Sequence, residues 1–235
     1  QREALRYRDA LDSYKQYAEL SAGTAERKVE AHYWIYDIST RLNLRNDIIA
    51  TEATIKRLIG RLGGKKEANV YLAKIKLIQA KDLFSKLRSI TIPADPAQQK
   101  NAVNKKLEMI RVLNEQLGNI IKLDSAEEII SALAILGESN AHMASAFSSV
   151  PVPASLNADQ KKLYMAEIDK ITSPFVAKAD ESYRLAVERG IDLQVYNEPY
   201  THSFIKMNAK YPQQFHYAGE ISSQSKAIDW MDNND

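Results

Sequence analysis

An all-α fold, built as a stack of antiparallel helix pairs, is what this sequence predicts, and three observations carry that expectation. Apolar residues recur at steps of three and four through most of the chain, and no segment alternates at period two. Turn formers are scarce, with 8 Gly and 7 Pro, too few for a sandwich or barrel of many short strands. The periodic segments are about 17 to 25 residues long and joined by short connections, which makes sequential neighbours antiparallel.

Leu5, Leu11, Tyr14, Ala18 and Leu20 share one side of a first helix over 2–21, which Gly23 terminates. Thr24 caps a second helix reaching about Leu42, with Arg27 where a capping box would carry Glu. Val29, Tyr33 and Tyr36 mark one of its faces, and Ala31, Ile35, Ile38 and Leu42 another, so it has to pack on two sides. Asn46 or Asp47 is the expected cap of a third helix ending near Leu62, before the Gly63-Gly64 break. Val70, Ala73, Leu77, Ala80, Phe84 and Leu87 define a fourth from Lys66 to about Ser89, stopped by Pro93 and Pro96.

Val103, Leu107, Ile110, Asn114, Leu117 and Ile121 form the stripe of a fifth helix. Asp124 or Ser125 caps a sixth, with Ile129, Leu133, Leu136, Asn140, Met143 and Phe147. Val150-Pro151-Val152-Pro153 reads as an extended linker. Asn157 caps a seventh helix whose stripe (Tyr164, Ile168, Ile171, Phe175, Ala179, Tyr183, Ala186) keeps register across Pro174. An unbroken stripe favours a kink over a new helix start at Ser173-Pro174, and Gly190 is expected to end the helix. Asn197 starts a short last helix with Pro199 in its first turn and Tyr200, Phe204, Met207 and Tyr211 on its face. From Gly219 the tail is polar and Ser-rich apart from Trp230-Met231. The organisation expected is helical repeats over 1–149, a C-terminal helical repeat or capping region over 150–217, and a loosely held tail over 218–235.

Composition bounds the function. Cysteine is absent, so neither disulfides nor a thiolate metal site is available; this fits an oxidising compartment and a cytosolic one alike. No apolar run is long enough to cross a bilayer. The chain starts at Gln1 within a helical pattern, which reads as a mature form or an excised fragment. Charge is unevenly divided: residues 1–122 hold 23 Lys+Arg against 14 Asp+Glu, a balance of +9, and residues 123–235 hold 9 against 16, a balance of −7. The stretch Lys56–Lys106 alone carries 13 basic and 3 acidic residues. Such a run is either a solvated helix surface or a docking face for an acidic partner or anionic polymer.

No constellation points to catalysis. His32, His142, His202 and His216 are scattered, without metal-ligand spacing. The segment Gly60-Arg61-Leu62-Gly63-Gly64-Lys65-Lys66 has Ile59 where a phosphate loop needs Gly and Lys66 where it needs Ser or Thr; it reads as a helix C-terminus. Glu127-Glu128 and Asp180-Glu181 sit near a helix start or on an exposed face. The interleaved Phe84 belongs to an apolar stripe, so nucleic acid is not an expected partner. No catalytic residue, metal or cofactor is expected, and the chain is read as a non-enzyme.

Ala10-Leu11, Tyr14 with Tyr17, Ala25-Glu26-Arg27 and the block Ala31-His32-Tyr33-Trp34-Ile35-Tyr36 resemble the tetratricopeptide repeat, with Ile35-Tyr36 in place of its Leu-Gly pair and Ala25 in place of its closing Pro. On that resemblance the first helix is the second of a repeat, and the helix after Thr24 opens the next. Val150-Pro151-Val152-Pro153, Pro174, Lys178-Ala179, Tyr183 to Ala186-Val187-Glu188, Val195-Tyr196-Asn197-Glu198 and Tyr211-Pro212 follow one another in an order similar to the C-terminal part of large tetratricopeptide-repeat envelope proteins of delta-type proteobacteria, including those of gliding-motility machinery. That resemblance covers Phe147–Phe215, with Pro199 where the family carries an aromatic residue. It implies a TPR-like α-solenoid acting as a periplasmic or outer-membrane-associated scaffold for the proteins of an envelope complex.

Peptide binding on a concave face makes Tyr33, Trp34 and Tyr36 candidate contacts, although large aromatics also fill the space between helices. Lys56, Arg57, Arg61, Lys65, Lys66, Lys74 and Lys81 are the candidate basic contacts, and would serve the alternative of an anionic envelope polymer such as peptidoglycan or lipopolysaccharide. Self-association through the oppositely charged halves, and an α-helical enzyme with a site invisible to the sequence, are the remaining alternatives.

Overall fold

The computed structural model describes residues 2–20, 23–62, 66–93, 95–152 and 156–216, and the side chains within them other than those of residues 2–5, 66–68, 96 and 97. These residues form eight α-helices and no strand: α1 (Arg2–Glu19), α2 (Ala25–Arg41), α3 (Arg45–Arg61), α4 (Lys66–Ser89), α5 (Pro96–Ile121), α6 (Ala126–Ser148), α7 (Ala158–Leu193) and α8 (Glu198–Lys210). The tail from 218 and its Trp230-Met231 pair lie outside the described residues, as do the Gly63-Gly64 break and Lys65.

Local chemistry sets most of the boundaries. Thr24 Oγ1 accepts from the Arg27 N–H at 3.4 Å, and Asn197 Oδ1 accepts from the Tyr200 N–H at 3.1 Å, each satisfying a donor that the first helical turn leaves unpaired. Asn157 and Gln160 form a reciprocal capping box, with bonds of 2.9 and 3.0 Å. Ser125, not Asp124, is the N-cap of α6, and its hydroxyl donates to the Glu128 carboxylate.

Two boundaries differ from the sequence reading. The third helix starts after Leu44, not at an Asn46 or Asp47 cap. Asn43 takes the left-handed conformation (φ 57°) just past α2, and the Leu44 N–H returns to the Ser39 carbonyl at 2.8 Å, so the chain reverses and re-enters a helix earlier than the polar pair suggests. Pro174 sits inside a single continuous α7 of 36 residues, in keeping with the stripe that holds register across it. Gly190 does not end that helix: Gln194, at φ 56°, does. Gly190 is needed because a Cβ there would lie 2.3 Å from Cδ2 of Tyr200; α8 approaches α7 at that point.

The helices pack in two rows. α2 touches α4, α4 touches α6 and α6 touches α8. On the other row α1 lies against α2, α3 against α2 and α4, α5 against α4 and α6, and α7 against α6 and α8, and among the described residues no helix of this row touches another. The core is accordingly a series of small clusters. Leu11, Ile35 and Ile38 join α1 to α2, and Val29, Tyr36, Ile55, Ile59 and Ile75 join α2, α3 and α4. Leu87, Leu113, Leu117, Met143 and Phe147 join α4, α5 and α6, and Ala179, Tyr183, Val187 and Met207 close α7 on α8. α6 touches four other helices, and its first turns are buried from Glu128 to Ala134.

Candidate functional site

The most chemically furnished place on the molecule is a groove of about 370 Å³ whose walls come from one row alone. α4 contributes Lys81, Phe84 and Arg88, α6 contributes Ser131, Ala134, Ile135 and Glu138, and α8 contributes Glu198, Pro199 and His202. The spacings of three, four and seven on α4 and α6 put each set on one helix face. Apolar side chains form much of the lining, and charges of both signs stand among them.

Glu138 organises one end. Its Oε1 accepts from the Tyr183 hydroxyl at 2.8 Å and lies 2.5 Å from Nε2 of His202 and 3.4 Å from Nζ of Lys206. Burial pushes this carboxyl upward, but the bonds from Tyr183 and His202 and the Lys206 charge outweigh it, and the pKa is held below the ordinary value. The Tyr183 hydroxyl is pushed far up, first by burial and then by its bond to Glu138. A carboxylate held ionised in this way is an anchor and an acceptor, not a proton donor.

One turn along α6, His142 continues the polar line inward. Its Nε2 lies 2.9 Å from Nζ of Lys106, which also donates to the Leu87 carbonyl at 3.0 Å. That carbonyl belongs to the last turn of α4, one of the acceptors a helix leaves open at its C-terminus. Lys106 is 1% exposed, and burial lowers its pKa. His142 is lowered by burial first, then by the charges of Lys106 and Arg88. The lowered His142 pKa favours a neutral ring, which can accept a bond from Lys106. Phe84 stands edge-on to His142 at 6.5 Å, with the Arg88 guanidinium over its ring at 5.8 Å.

A second feature lies on α1, α2 and α4. Tyr14 stacks on Trp34 at 6.2 Å, Trp34 meets Tyr33 edge-on at 5.1 Å, and Tyr33 meets Tyr71 at 5.6 Å. Nζ of Lys74 sits 5.8 Å from the centre of the Tyr33 ring and 5.9 Å from that of Tyr71, a cation–π arrangement. Beside this ledge, Tyr14 and Tyr17 border a hollow of about 570 Å³ with Arg27 and Glu30.

The candidate residues therefore separate. Trp34 is 37% exposed, and with Tyr33 and Lys74 it belongs to the ledge, while Lys81 lines the groove. Tyr36 is not a surface contact: it is 3% exposed in the α2–α3–α4 core, its hydroxyl accepting from Gln79 at 3.2 Å, because its spacing from Val29 places it on the inward face. Lys56, Arg57 and Arg61 lie on α3, in the other row, and Lys56 is tied to Glu52 at 2.6 Å. Lys65 and the side chain of Lys66 lie outside the described residues. The basic segment is thus not one surface, since Lys86 also pairs with Asp82 at 2.6 Å and Lys106 is buried.

The sequence reading does not single out Glu138, Lys206 or Lys106, and it sets His142 and His202 aside as scattered histidines. Two ladders at spacing four, Glu138–His142 on α6 and Glu198–His202–Lys206 on α8, were the signals available, but nothing in the sequence brings α6 and α8 side by side. Comparisons with protein-family models, with curated proteins and with solved structures find no match for this chain.

Proposed function

We propose that this chain is a non-enzymatic, tetratricopeptide-like helical scaffold that binds a protein partner within a bacterial cell-envelope complex, and that the α4–α6–α8 groove is its recognition site. The observation that carries this reading is the two-row packing: a groove walled only by alternate helices is what a stack of helix pairs offers an extended or helical ligand. The repeat-like residues around Tyr33 and the motif order after Phe147 supply the envelope assignment.

The groove's chemistry supports binding over turnover. Glu138 is engaged by three donors, Lys106 and His142 by each other, and the Ser131 hydroxyl donates to the Glu127 carbonyl at 2.9 Å, so the nucleophile, base and acid of a reaction are not poised together. The polymer alternative has less support, because the basic run is divided between two rows and partly consumed by internal pairs.

The test is capture from a detergent-solubilised envelope extract by the immobilised chain, with low-salt and high-salt washes and a K81E/R88E variant in parallel. A partner that survives high salt and is lost in the variant supports the groove. A polymer retained by both proteins and released by salt moves the function to the basic residues of α3 and α4. Retention of nothing at either salt by the folded wild type overturns the scaffold reading.

A further inference from the structure

Phe215 holds the chain against α8: its ring lies 6.5 Å from that of Phe204, and its carbonyl accepts from the Asn208 amide. The chain therefore leaves the described residues on one of the three helices that wall the α4–α6–α8 groove. Fourteen residues separate His216 from Trp230, a span of up to about 45 Å when extended. α8 is about 20 Å long, and α4 lies two helix–helix steps away, about 20 Å in all. Every wall of the groove is within reach of that length of chain.

The groove offers two cations that lack a carboxylate. Lys81 and Arg88 are exposed on one face of α4, with the half-buried Phe84 between them. Among the described residues neither forms an ion pair, and Arg88 lies over the Phe84 ring. The acidic members of the lining are placed otherwise. Glu138 takes the bonds of Tyr183 and His202 and stands beside Lys206, and Glu198 lies in the first turn of α8, where the helix dipole favours it. Residues 123–216 hold 8 Lys+Arg against 12 Asp+Glu, a balance of −4, which disfavours an acidic segment over most of this end of the molecule. The α4 wall is where the basic half of the chain faces it.

The sequence beyond Phe215 complements that wall. Residues 217–235 hold Glu220, Asp229, Asp232 and Asp235 against Lys226 alone, a balance of −3, and the Trp230-Met231 pair stands between Asp229 and Asp232. Carboxylates three residues apart return to one side of a polyproline-II run at about 9 Å. Lys81 and Arg88, seven residues apart on α4, are separated by about 10.5 Å along its axis. The two spacings agree, and they bring Trp230 and Met231 to the level of Phe84.

We propose that residues 226–232 occupy the α4–α6–α8 groove of their own chain, with Asp229 and Asp232 on Lys81 and Arg88, Trp230-Met231 against Phe84 and Ile135, and Lys226 toward Glu198. The segment is then a built-in competitor that a partner has to displace. Tethering presents it to the groove at an effective concentration on the order of millimolar, so modest contacts suffice to seat it. This inference rests on the reading of the groove as the recognition site, but it is measured without any partner.

The chain has two tryptophans, so W34F leaves Trp230 as the sole indole emitter. In the full W34F chain the emission is expected to be blue-shifted from that of the urea-unfolded protein, and acrylamide quenching severalfold weaker, at every protein concentration. Adding K81E/R88E should bring both to the unfolded values, as should D229K/D232K, and the two reversals combined should restore them. Trp34, Lys81 and Arg88 are exposed, and circular dichroism checks that helix content is kept. Amide exchange with Trp34 in place is a second reading: residues 226–232 should be protected, and K81E/R88E should abolish the protection. A Trp230 as quenchable in the folded chain as in urea overturns the proposal. So does burial that K81E/R88E leaves unchanged, which would put the segment elsewhere, and burial lost on dilution, which would put it in the groove of a second copy. Combined reversals that fail to restore the burial overturn it as well. None of these outcomes bears on the scaffold reading, which the capture experiment tests separately.

Discussion

Lys106 enters the interior with no carboxylate partner among the described residues, and the Leu87 carbonyl and the His142 ring take that part. The arrangement makes stability depend on pH. Because the His142 pKa is lowered below its ordinary 6.5, the unfolded chain takes up a proton before the folded one does, and stability falls as pH drops below about 6.5. Glu138, lowered from 4.5, adds a second loss in the same direction at lower pH: its contribution is present above the ordinary carboxylate value and disappears as pH falls through the folded one. The urea midpoint is therefore expected to be lower at pH 5.5 than at pH 7.5, and H142Q, which keeps an acceptor for Lys106 but cannot charge, should reduce that difference to the part carried by His32, whose pKa burial also lowers. An equal slope in the variant would show that the ring carries no such linkage. Y183F, which takes one donor from the partly exposed Glu138, should cost about 1 kcal/mol in urea unfolding at neutral pH and leave the fold unchanged.

At the scale of the element, glycine separates helix propensity from packing. Gly118 in α5 has open space where a Cβ would go, whereas a Cβ on Gly190 would meet Cδ2 of Tyr200 at 2.3 Å and the Val195 carbonyl at 3.1 Å. G118A should raise stability by about 0.5–1 kcal/mol through the lost backbone freedom of glycine. G190A should lower it by about 1–3 kcal/mol, because α8 has to move. Thermal melts of the two variants should shift in opposite directions, and a shared sign would mean that α8 does not sit where the Tyr200 ring is. From the sequence Gly190 reads as a helix terminator, and nothing there tells of the Tyr200 ring against it. The α2–α3 reversal was hidden for a similar reason: Asn43 turns the chain by backbone conformation, which leaves no side-chain cap to read.

Across the whole molecule, contacts run from each helix to its near neighbours, so stability should vary along the stack. α6 touches four helices and carries the longest buried stretch, whereas residues 158–171 of α7 lie beyond the Phe147–Phe175 contact at the end of α6 and are exposed apart from the half-buried Tyr164 and Ile168. Amide exchange is expected to be slowest in α6 and fastest in the first four turns of α7. Uniform protection along α7 would contradict the projecting geometry.

Eight helices, their approximate limits and their antiparallel order follow from the sequence, because period, caps and prolines act within a few residues of one another. Thr24, Asn157 and Asn197 cap where their side chains can reach the next free N–H, and no distant residue is needed to say so. The fate of individual side chains belongs to the tertiary structure. Tyr36 and Tyr33 are three residues apart on one helix, yet one is core and the other half-exposed, according to where α3 and α4 lie. The thirteen basic residues of 56–106 look like one surface in the sequence, and those among the described residues are divided in space between two rows, with Lys106 buried. Glu138 and His202, sixty-four residues apart, become partners only because α6 and α8 share a row. Local periodicity determines that a helix forms; which face it buries, and whom its charges meet, depends on the contacts that the other helices leave it.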